Sequence, residues 1–141
     1  MRYLLTLIAL LGFIAASLAL REHYRTDVSP CSINEHWDCG IVNHSPFAVM
    51  AGIPVAMIGM AGYLLMGALA LWRAYRLVLV LALGGLGFSI YLSHIEAHIL
   101  GVWCVYCVAS LVVVSLLTLF AFGTIIGLRW KDGGAAASSV K

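Results

Sequence analysis

The sequence has few charged residues, and this scarcity excludes several classes of protein. Only 10% of its residues are charged and 63% are hydrophobic, whereas an ordinary soluble domain carries about 25% charged residues. The mean hydropathy is +1.04, and the core of one soluble domain of this size cannot bury so many apolar residues. The net charge of +2 and the lack of a basic run argue against nucleic-acid binding. We therefore interpret the chain as an integral membrane protein that contacts lipid and no nucleic acid.

Common catalytic motifs are also missing from the sequence. It contains no Gly-rich phosphate loop, no Ser-His-Asp arrangement and no pair of catalytic carboxylates. With so few polar residues, the four cysteines are the main chemical resource of the chain.

Long apolar runs predict four membrane-spanning helices. A span needs roughly 20 apolar residues, and open sheet edges cannot face lipid. The predicted spans cover residues 3–20, 54–72, 77–95 and 104–128. The predicted fold class is therefore an all-α membrane protein, a four-transmembrane-helix bundle. The first run also resembles a secretory signal, but its length favours a retained span, and cleavage would leave the cysteines on the same side.

One transmembrane domain is expected over residues 1–130, followed by a tail over residues 131–141. The tail contains the low-complexity run GGAAASSVK, which predicts disorder.

The basic residues predict the orientation of the bundle. With four spans, six basic residues fall on one side and two, Arg21 and Arg25, on the other. The six are Arg2, Arg73, Arg76, Arg129, Lys131 and Lys141. The positive-inside rule places the side with six, and both termini, in the cytoplasm. All four cysteines then face the periplasm or exterior.

The first outer loop is predicted to carry a short helix. Ser45 is typical of a helix N-cap and Pro46 of the first helical position. Pro54 interrupts the helix, because proline removes a donor and restricts Ile53 before it. We expect an interfacial half-helix over residues 46–52.

The cysteines form two pairs in different settings. Cys31 and Cys39 enclose a short polar loop on the outer side, where disulfides persist. Cys104 and Cys107 lie at i and i+3 at the start of the fourth span, with Cβ atoms about 5–6 Å apart. The positive end of the helix dipole favours a thiolate there, and Cys107 lies at a depth that a lipid-soluble quinone can reach. This arrangement predicts a redox relay.

Two non-enzymatic interpretations remain open. A cysteine zinc site is one, although C-x7-C is wider than the usual zinc spacing. A scaffold with two structural disulfides is the other, although a short loop and a lipid-held helix gain little from a cross-link. The relay is preferred, and no metal is expected.

Three segments together resemble the vitamin K epoxide reductase family, in its single-domain bacterial form. They are CSINEHWDC, HSPFAVMAGIPVAMIGMAGY and YLSHIEAHILGVWCVYCVAS. The resemblance implies a quinone-linked generator of disulfide bonds in a bacterial inner membrane. It also implies a thioredoxin-fold thiol carrier (DsbA-like) in trans as partner and a quinone, of the ubiquinone or menaquinone type, as cofactor.

The resemblance also implies roles for the cysteines. Cys31 and Cys39 would meet the partner protein, Cys104 would accept electrons through a transient bond with Cys39, and Cys107 would face the quinone. All four are predicted to be catalytic.

The quinone site is expected at Cys107, Val55, Leu111 and Trp103. Animal relatives hold the quinone with an Asn and a Tyr where this chain has Val55 and Leu111. Quinone reduction is therefore expected rather than reduction of vitamin K epoxide, which stays an alternative.

His94 and His98, one helical turn apart, have three open interpretations. They can supply protons to a reduced quinone, bind a metal, or form a polar interfacial rim.

Overall fold

The computed structural model describes residues 1–27 and 32–139, so Cys31 lies outside the described residues. These ranges contain five α-helices: α1 (Arg2–Tyr24), α2 (Cys39–His44), α3 (Val55–Leu71), α4 (Tyr75–Ile95) and α5 (Val105–Ser139). A two-stranded antiparallel sheet, β1 (Val49–Met50) with β2 (Ile53–Pro54), precedes α3. A 3-10 turn covers Pro46–Ala48, and a π-helical turn, Glu96–Leu100, continues α4.

The four longer helices form an apolar bundle. Arg2–Tyr24, Tyr75–Leu100 and Val105–Ser139 are long and apolar enough to cross a membrane, and Val55–Leu71 is a shorter apolar helix. The predicted helical membrane fold is thus observed, while a fourth crossing by α3 stays a prediction. The described part of the chain is helical apart from the small sheet and the connections.

Small side chains let the helices approach closely in the core of the bundle. α1 packs against α3 and α5, and α4 packs against α5. Ala9, Ala70, Ala82 and Ala121 are fully or almost fully buried among larger residues such as Leu117. Since lipid tails are as apolar as leucine, close van der Waals packing, rather than the hydrophobic effect, holds such helices together.

One close contact requires a glycine at position 12 of α1. A β-carbon at this position would overlap the ring of Tyr63 on α3. The ring of Tyr63 is buried and fits in this position because Gly12 has no side chain.

The predicted half-helix over residues 46–52 is wrong. Pro46 does follow Ser45 at the start of a helical turn, but this turn ends at Ala48. Ala51 and Gly52 both have positive φ, 52° and 80°, which is the conformation of a type I′ hairpin turn. The chain therefore forms β1 and β2, and the helix of this loop is α2, which precedes Ser45.

The tail also differs from the expected disorder. α5 continues as a helix to Ser139. The stretch contains three alanines, the strongest helix former, and no proline. The hydroxyls of Ser138 and Ser139 donate hydrogen bonds to the carbonyls of Ala135 and Ala136. The helix therefore continues through this stretch, although Gly133 and Gly134 in it have a low helix propensity.

Candidate active site

The three cysteines that the structure describes meet at one end of the bundle, which we call the cysteine end (residues 36–45 and 96–107). Cys39 and Cys104 are both completely buried, in one apolar cluster with Val42 and Val102. Cys107 packs against that cluster and is half-buried. Two distant stretches of sequence therefore contribute sulfur atoms to a single site.

Backbone hydrogen bonds hold the loop against the start of α5. The Trp103 N–H donates to the His36 carbonyl at 2.7 Å, and the Asp38 N–H donates to the Trp103 carbonyl at 3.0 Å. Trp37 and Trp103 thus form a parallel β-bridge. The contact fixes the chain one residue before Cys39 and one residue before Cys104.

The helix that carries Cys39 has a strong N-cap. Asp38 precedes α2, and its carboxylate accepts a hydrogen bond from the Ile41 N–H at 3.1 Å. It also accepts one from the Ser32 hydroxyl at 2.9 Å. Asp is among the best N-cap residues, so a short helix forms where the sequence predicted an irregular loop.

Two histidines join α2 to α1. The His44 ring contacts the carbonyl oxygens of Gly40 and Arg25 at 2.7 and 2.9 Å. The His23 ring lies against the Asn43 carbonyl and stacks near His44, with ring centroids 6.1 Å apart. These contacts fix the position of α2 on the bundle.

Asn43 connects the two cysteine-bearing segments. Its buried side-chain amide donates to the Cys39 carbonyl at 2.8 Å and to the Cys104 sulfur at 3.5 Å. One amide group therefore touches the backbone of one cysteine and the thiol of another. No sequence motif singled out Asn43; its i+4 spacing from Cys39 on α2 was the available signal.

The cysteines are in different redox states. Cys39 is disulfide-bonded, whereas Cys104 and Cys107 are free thiols. Cys104 lies just before α5, and its carbonyl accepts from the Val108 N–H at 3.0 Å. The hydrogen bond from Cys107 lowers the pKa of the Cys104 thiol, against the opposing effects of burial and of the nearby Glu96 charge. A lower pKa favours the thiolate, which is the nucleophile in disulfide exchange.

Glu96 is a buried acid that contacts both Cys104 and Cys107. Its side chain is 2% exposed, and its Oε2 accepts a hydrogen bond from the Cys104 N–H at 3.3 Å. Its carboxyl group also hydrogen-bonds with the Cys107 thiol. The π-helical turn from Glu96 to Leu100 ends at Gly101, whose φ of 68° reverses the chain toward Cys104.

A cavity of about 440 Å³ opens beside these groups. Cys107 and Glu96 line its head, and apolar residues of α1, α3, α4 and α5 line most of the remainder. Of the cysteines that the structure describes, Cys107 alone lines it. On α5 the lining runs from Tyr106 to Val114, about 12 Å along the helix at 1.5 Å per residue.

The other predicted cofactor residues occupy different places. Val55 lines the cavity, but Leu111 and Trp103 are not among the residues that line it. Trp103 instead pairs with the loop through its backbone.

The polar wall of the cavity comes from residues that the sequence did not indicate. The Tyr63 hydroxyl lies 2.6 Å from the Ser110 hydroxyl and donates to the Ser110 carbonyl at 3.0 Å. Both residues line the cavity.

His94 and His98 lie outside the cavity. Their ring centroids are 4.5 Å apart, and both side chains are exposed. Within residues 1–27 and 32–139, no group of three or more His, Cys, Asp or Glu side chains has the arrangement of a metal site.

The chain matches a known protein family. The model of the vitamin K epoxide reductase family matches residues 3–122. The matched range includes α1 from its second residue, α2 to α4, the cysteine end and about half of α5.

Proposed function

Because this chain belongs to the vitamin K epoxide reductase family and is a membrane oxidoreductase, we propose that it oxidises a thioredoxin-fold thiol carrier and passes two electrons to a quinone. The electrons travel through the two cysteine pairs. The product for the cell is a disulfide bond in a protein outside the cytoplasm.

The observation that carries this proposal is the continuous path from Cys39 to the cavity. Cys39 and Cys104 are buried in one cluster, the Asn43 amide touches both residues, and Cys104 hydrogen-bonds to Cys107. Cys107 then lines the cavity. No step in this path requires a sulfur to cross open water.

The cavity has the character of a quinone site. Ligand pockets typically have volumes of about 300–1,000 Å³ and are mostly apolar, with a few polar groups. This cavity combines a mostly apolar lining with polar groups, among them Cys107 with Glu96 at its head and Tyr63 with Ser110 on its wall. Exposed Ile58 on α3 and Val80 on α4 belong to its lining, which gives a lipid-soluble ligand an entrance between these helices.

The proposed exchange steps balance in electrons. A partner thiolate attacks a Cys31–Cys39 disulfide, and the partner's second thiol completes its own disulfide, which leaves both loop cysteines reduced. The Cys39 thiolate then attacks Cys104 in a Cys104–Cys107 disulfide, and Cys107 leaves as a thiolate. Attack of Cys31 on Cys39 restores the loop disulfide and releases Cys104. Cys104 and Cys107 thus hold the electron pair, which a quinone of the ubiquinone or menaquinone type accepts.

We further propose a bacterial inner membrane as the location, with the cysteine end facing the periplasm or exterior. Arg73, Arg76 and Arg129 line a second cavity together with Tyr75 at the start of α4, at the end of that helix away from Glu96. This distribution of charge supports the orientation that the positive-inside rule predicts. An impermeant thiol reagent should label reduced protein in spheroplasts; labelling only after membrane rupture would reverse the orientation.

The deciding experiment uses purified full-length protein, a reduced DsbA-like carrier and a quinone, with quinone absorbance as the readout. The wild type should consume quinone in proportion to carrier oxidised, and Cys107→Ala should not. Val108→Ala is the matched control, because it shortens the next side chain on α5 outside the cavity lining. Quinone consumption by Cys107→Ala at the wild-type rate would refute the proposed path.

Reduction of vitamin K epoxide is the second candidate. The same assay with the epoxide in place of the quinone distinguishes the two. We expect little turnover of the epoxide, because apolar Val55 lies in the cavity wall where animal relatives have an Asn.

A further inference from the structure

Glu96 has contacts that the disulfide exchange steps leave unused. It lies between His94 and His98 in sequence, yet its side chain is buried while both histidines are exposed. Residues two positions apart on a helix do not share a face, so Glu96 and the two histidines point in different directions. The carboxyl group faces Cys104 and Cys107, and the histidines face outward.

A buried carboxylate without a strong positive partner has a large desolvation cost. The groups that face Glu96 are the Cys104 N–H and the Cys107 thiol, neither of which is a cation. A carboxyl group in this setting readily holds a proton, and the nearest transferable proton is that of Cys107. Since Cys107 and Glu96 both line the head of the cavity, a ligand bound there can meet both.

We propose that Glu96 is a catalytic residue that takes the thiol proton of Cys107 and delivers it to the quinone. This inference rests on the proposed function for the identity of the electron acceptor. It assigns to the buried acid the proton transfer that was one of the three interpretations of the exposed histidines.

The proton transfer completes the balance of the quinone step. Two thiols and one quinone yield one disulfide and one hydroquinone. The S–H bonds of Cys104 and Cys107 break, a sulfur–sulfur bond forms, and two electrons with two protons reach the two quinone oxygens. Glu96 accepts the proton of Cys107 as the sulfur gives up its electrons, and it then passes this proton to the quinone. The protonation of Glu96 is therefore unchanged after one cycle. The second proton comes from Cys104 or, where that thiol is ionised, from water.

The test compares glutamine variants at two buried acids. Glu96→Gln keeps the size of the side chain and an oxygen for the Cys104 N–H, but it cannot accept a proton. Glu22→Gln is the matched control, because Glu22 is also 2% exposed but does not line the cavity. Each protein is reduced with dithiothreitol, desalted without oxygen and mixed rapidly with a quinone.

Glu96→Gln should slow the fast phase of quinone loss by about 100-fold or more, the usual range for removing a general acid or base. Glu22→Gln should react like the wild type, and Glu96→Asp should recover part of the rate. Below the pKa of the thiol, the residual rate of Glu96→Gln should rise roughly tenfold per pH unit, because only the thiolate fraction then reacts. Reduction of the loop disulfide by the carrier, which precedes the quinone step, should be unaffected by Glu96→Gln. A wild-type rate in Glu96→Gln, or an equal loss in Glu22→Gln, would overturn the inference.

A second measurement does not depend on the quinone. The Cys104–Cys107 thiols are oxidised with diamide, and infrared difference spectra are recorded. A carboxyl band should change on oxidation in the wild type and Glu22→Gln but not in Glu96→Gln. No such band in the wild type would refute proton transfer to Glu96. If the band is present but the wild type does not reduce quinone, the proposed acceptor is wrong and the role of Glu96 toward Cys107 stands.

Discussion

The cysteine end and the core of the bundle are stabilised in different ways. At the cysteine end, the side chain of Asn43 and the backbones of Asp38 and Trp103 make hydrogen bonds between segments distant in sequence. In the core, small residues such as Ala9 and Ala70 allow close packing of apolar surfaces, beside polar links such as that of Tyr63 to Ser110. Directional bonds fix the positions of a few reacting atoms, whereas packing fixes the helices and leaves room for a cavity. The comparison predicts that changes at the cysteine end alter chemistry and that changes in the core alter stability.

The largest effect is expected from removal of Cys31. Its loss removes the competitor for Cys39, so a Cys39–Cys104 disulfide should become the dominant species instead of a transient one. Burial of Cys39 and Cys104 in one cluster favours that bond. Peptide mapping after acid quenching under non-reducing conditions measures it, and Cys104→Ala in the same background should abolish it. A dominant Cys31–Cys104 bond in the wild type would assign the transfer to the other loop cysteine.

The next effect is expected from Asn43→Leu, which removes the amide that contacts Cys104 and Cys39. A hydrogen bond to a charged group contributes about 1.5–3 kcal/mol. We therefore expect exchange between the cysteine pairs to slow by roughly 10- to 100-fold if the bond stabilises the reacting thiolate. Rapid-quench trapping of the mixed disulfide measures the rate.

Ser45→Ala is the control for Asn43. Ser45 is also buried, and its hydroxyl donates to the Val42 carbonyl at 2.7 Å without a described contact to sulfur. Equal slowing in both variants would mean that the fold of α2, and not the contact with Cys104, sets the exchange rate.

Gly12→Ala tests the core. The added methyl group would collide with the Tyr63 ring, and overpacking of this kind typically costs about 1–3 kcal/mol. We expect a lower unfolding temperature in detergent and a raised KM for quinone, because Tyr63 lines the cavity. Gly87→Ala, where an added β-carbon meets no described atom within 4 Å, should unfold like the wild type. If Gly12→Ala unfolds at the same temperature as the wild type, the core can accommodate an added methyl group beside Tyr63.

The smallest effect is expected in the titration of Cys104. The Cys107 thiol lowers the pKa of Cys104 by donating a hydrogen bond. Cys107→Ala removes this donor, so the pKa of Cys104 should rise and its thiolate should form at higher pH. Ultraviolet thiolate absorbance, recorded while Cys39 stays disulfide-bonded, measures the shift. A pKa that stays in place or falls would show that another group stabilises the thiolate.

Much of the fold could be predicted from the sequence because membranes impose a simple rule. The apolar runs indicated α1, α3, α4 and α5 within a few residues of their observed starts, since a lipid-facing segment must satisfy its backbone hydrogen bonds within a helix. Local signals were weaker in the loop. Ser45 and Pro46 indicated a helix start that extends for only one short turn, while Asp38 caps the helix that forms.

The sequence by itself determined which residue types are available for chemistry: few charges, four cysteines and an apolar chain of helices. It also determined the spacing of Cys104 and Cys107, because three residues along a helix place two side chains on one face. Tertiary structure decided which groups meet. Asn43 reaches Cys104 across 61 positions of sequence, and Glu96, rather than the neighbouring histidines, contacts Cys104 and Cys107. The physical reason is that the backbone bridge between Trp37 and Trp103 and the reversal of the chain at Gly101 bring these segments together, and neither has a periodic pattern in the sequence.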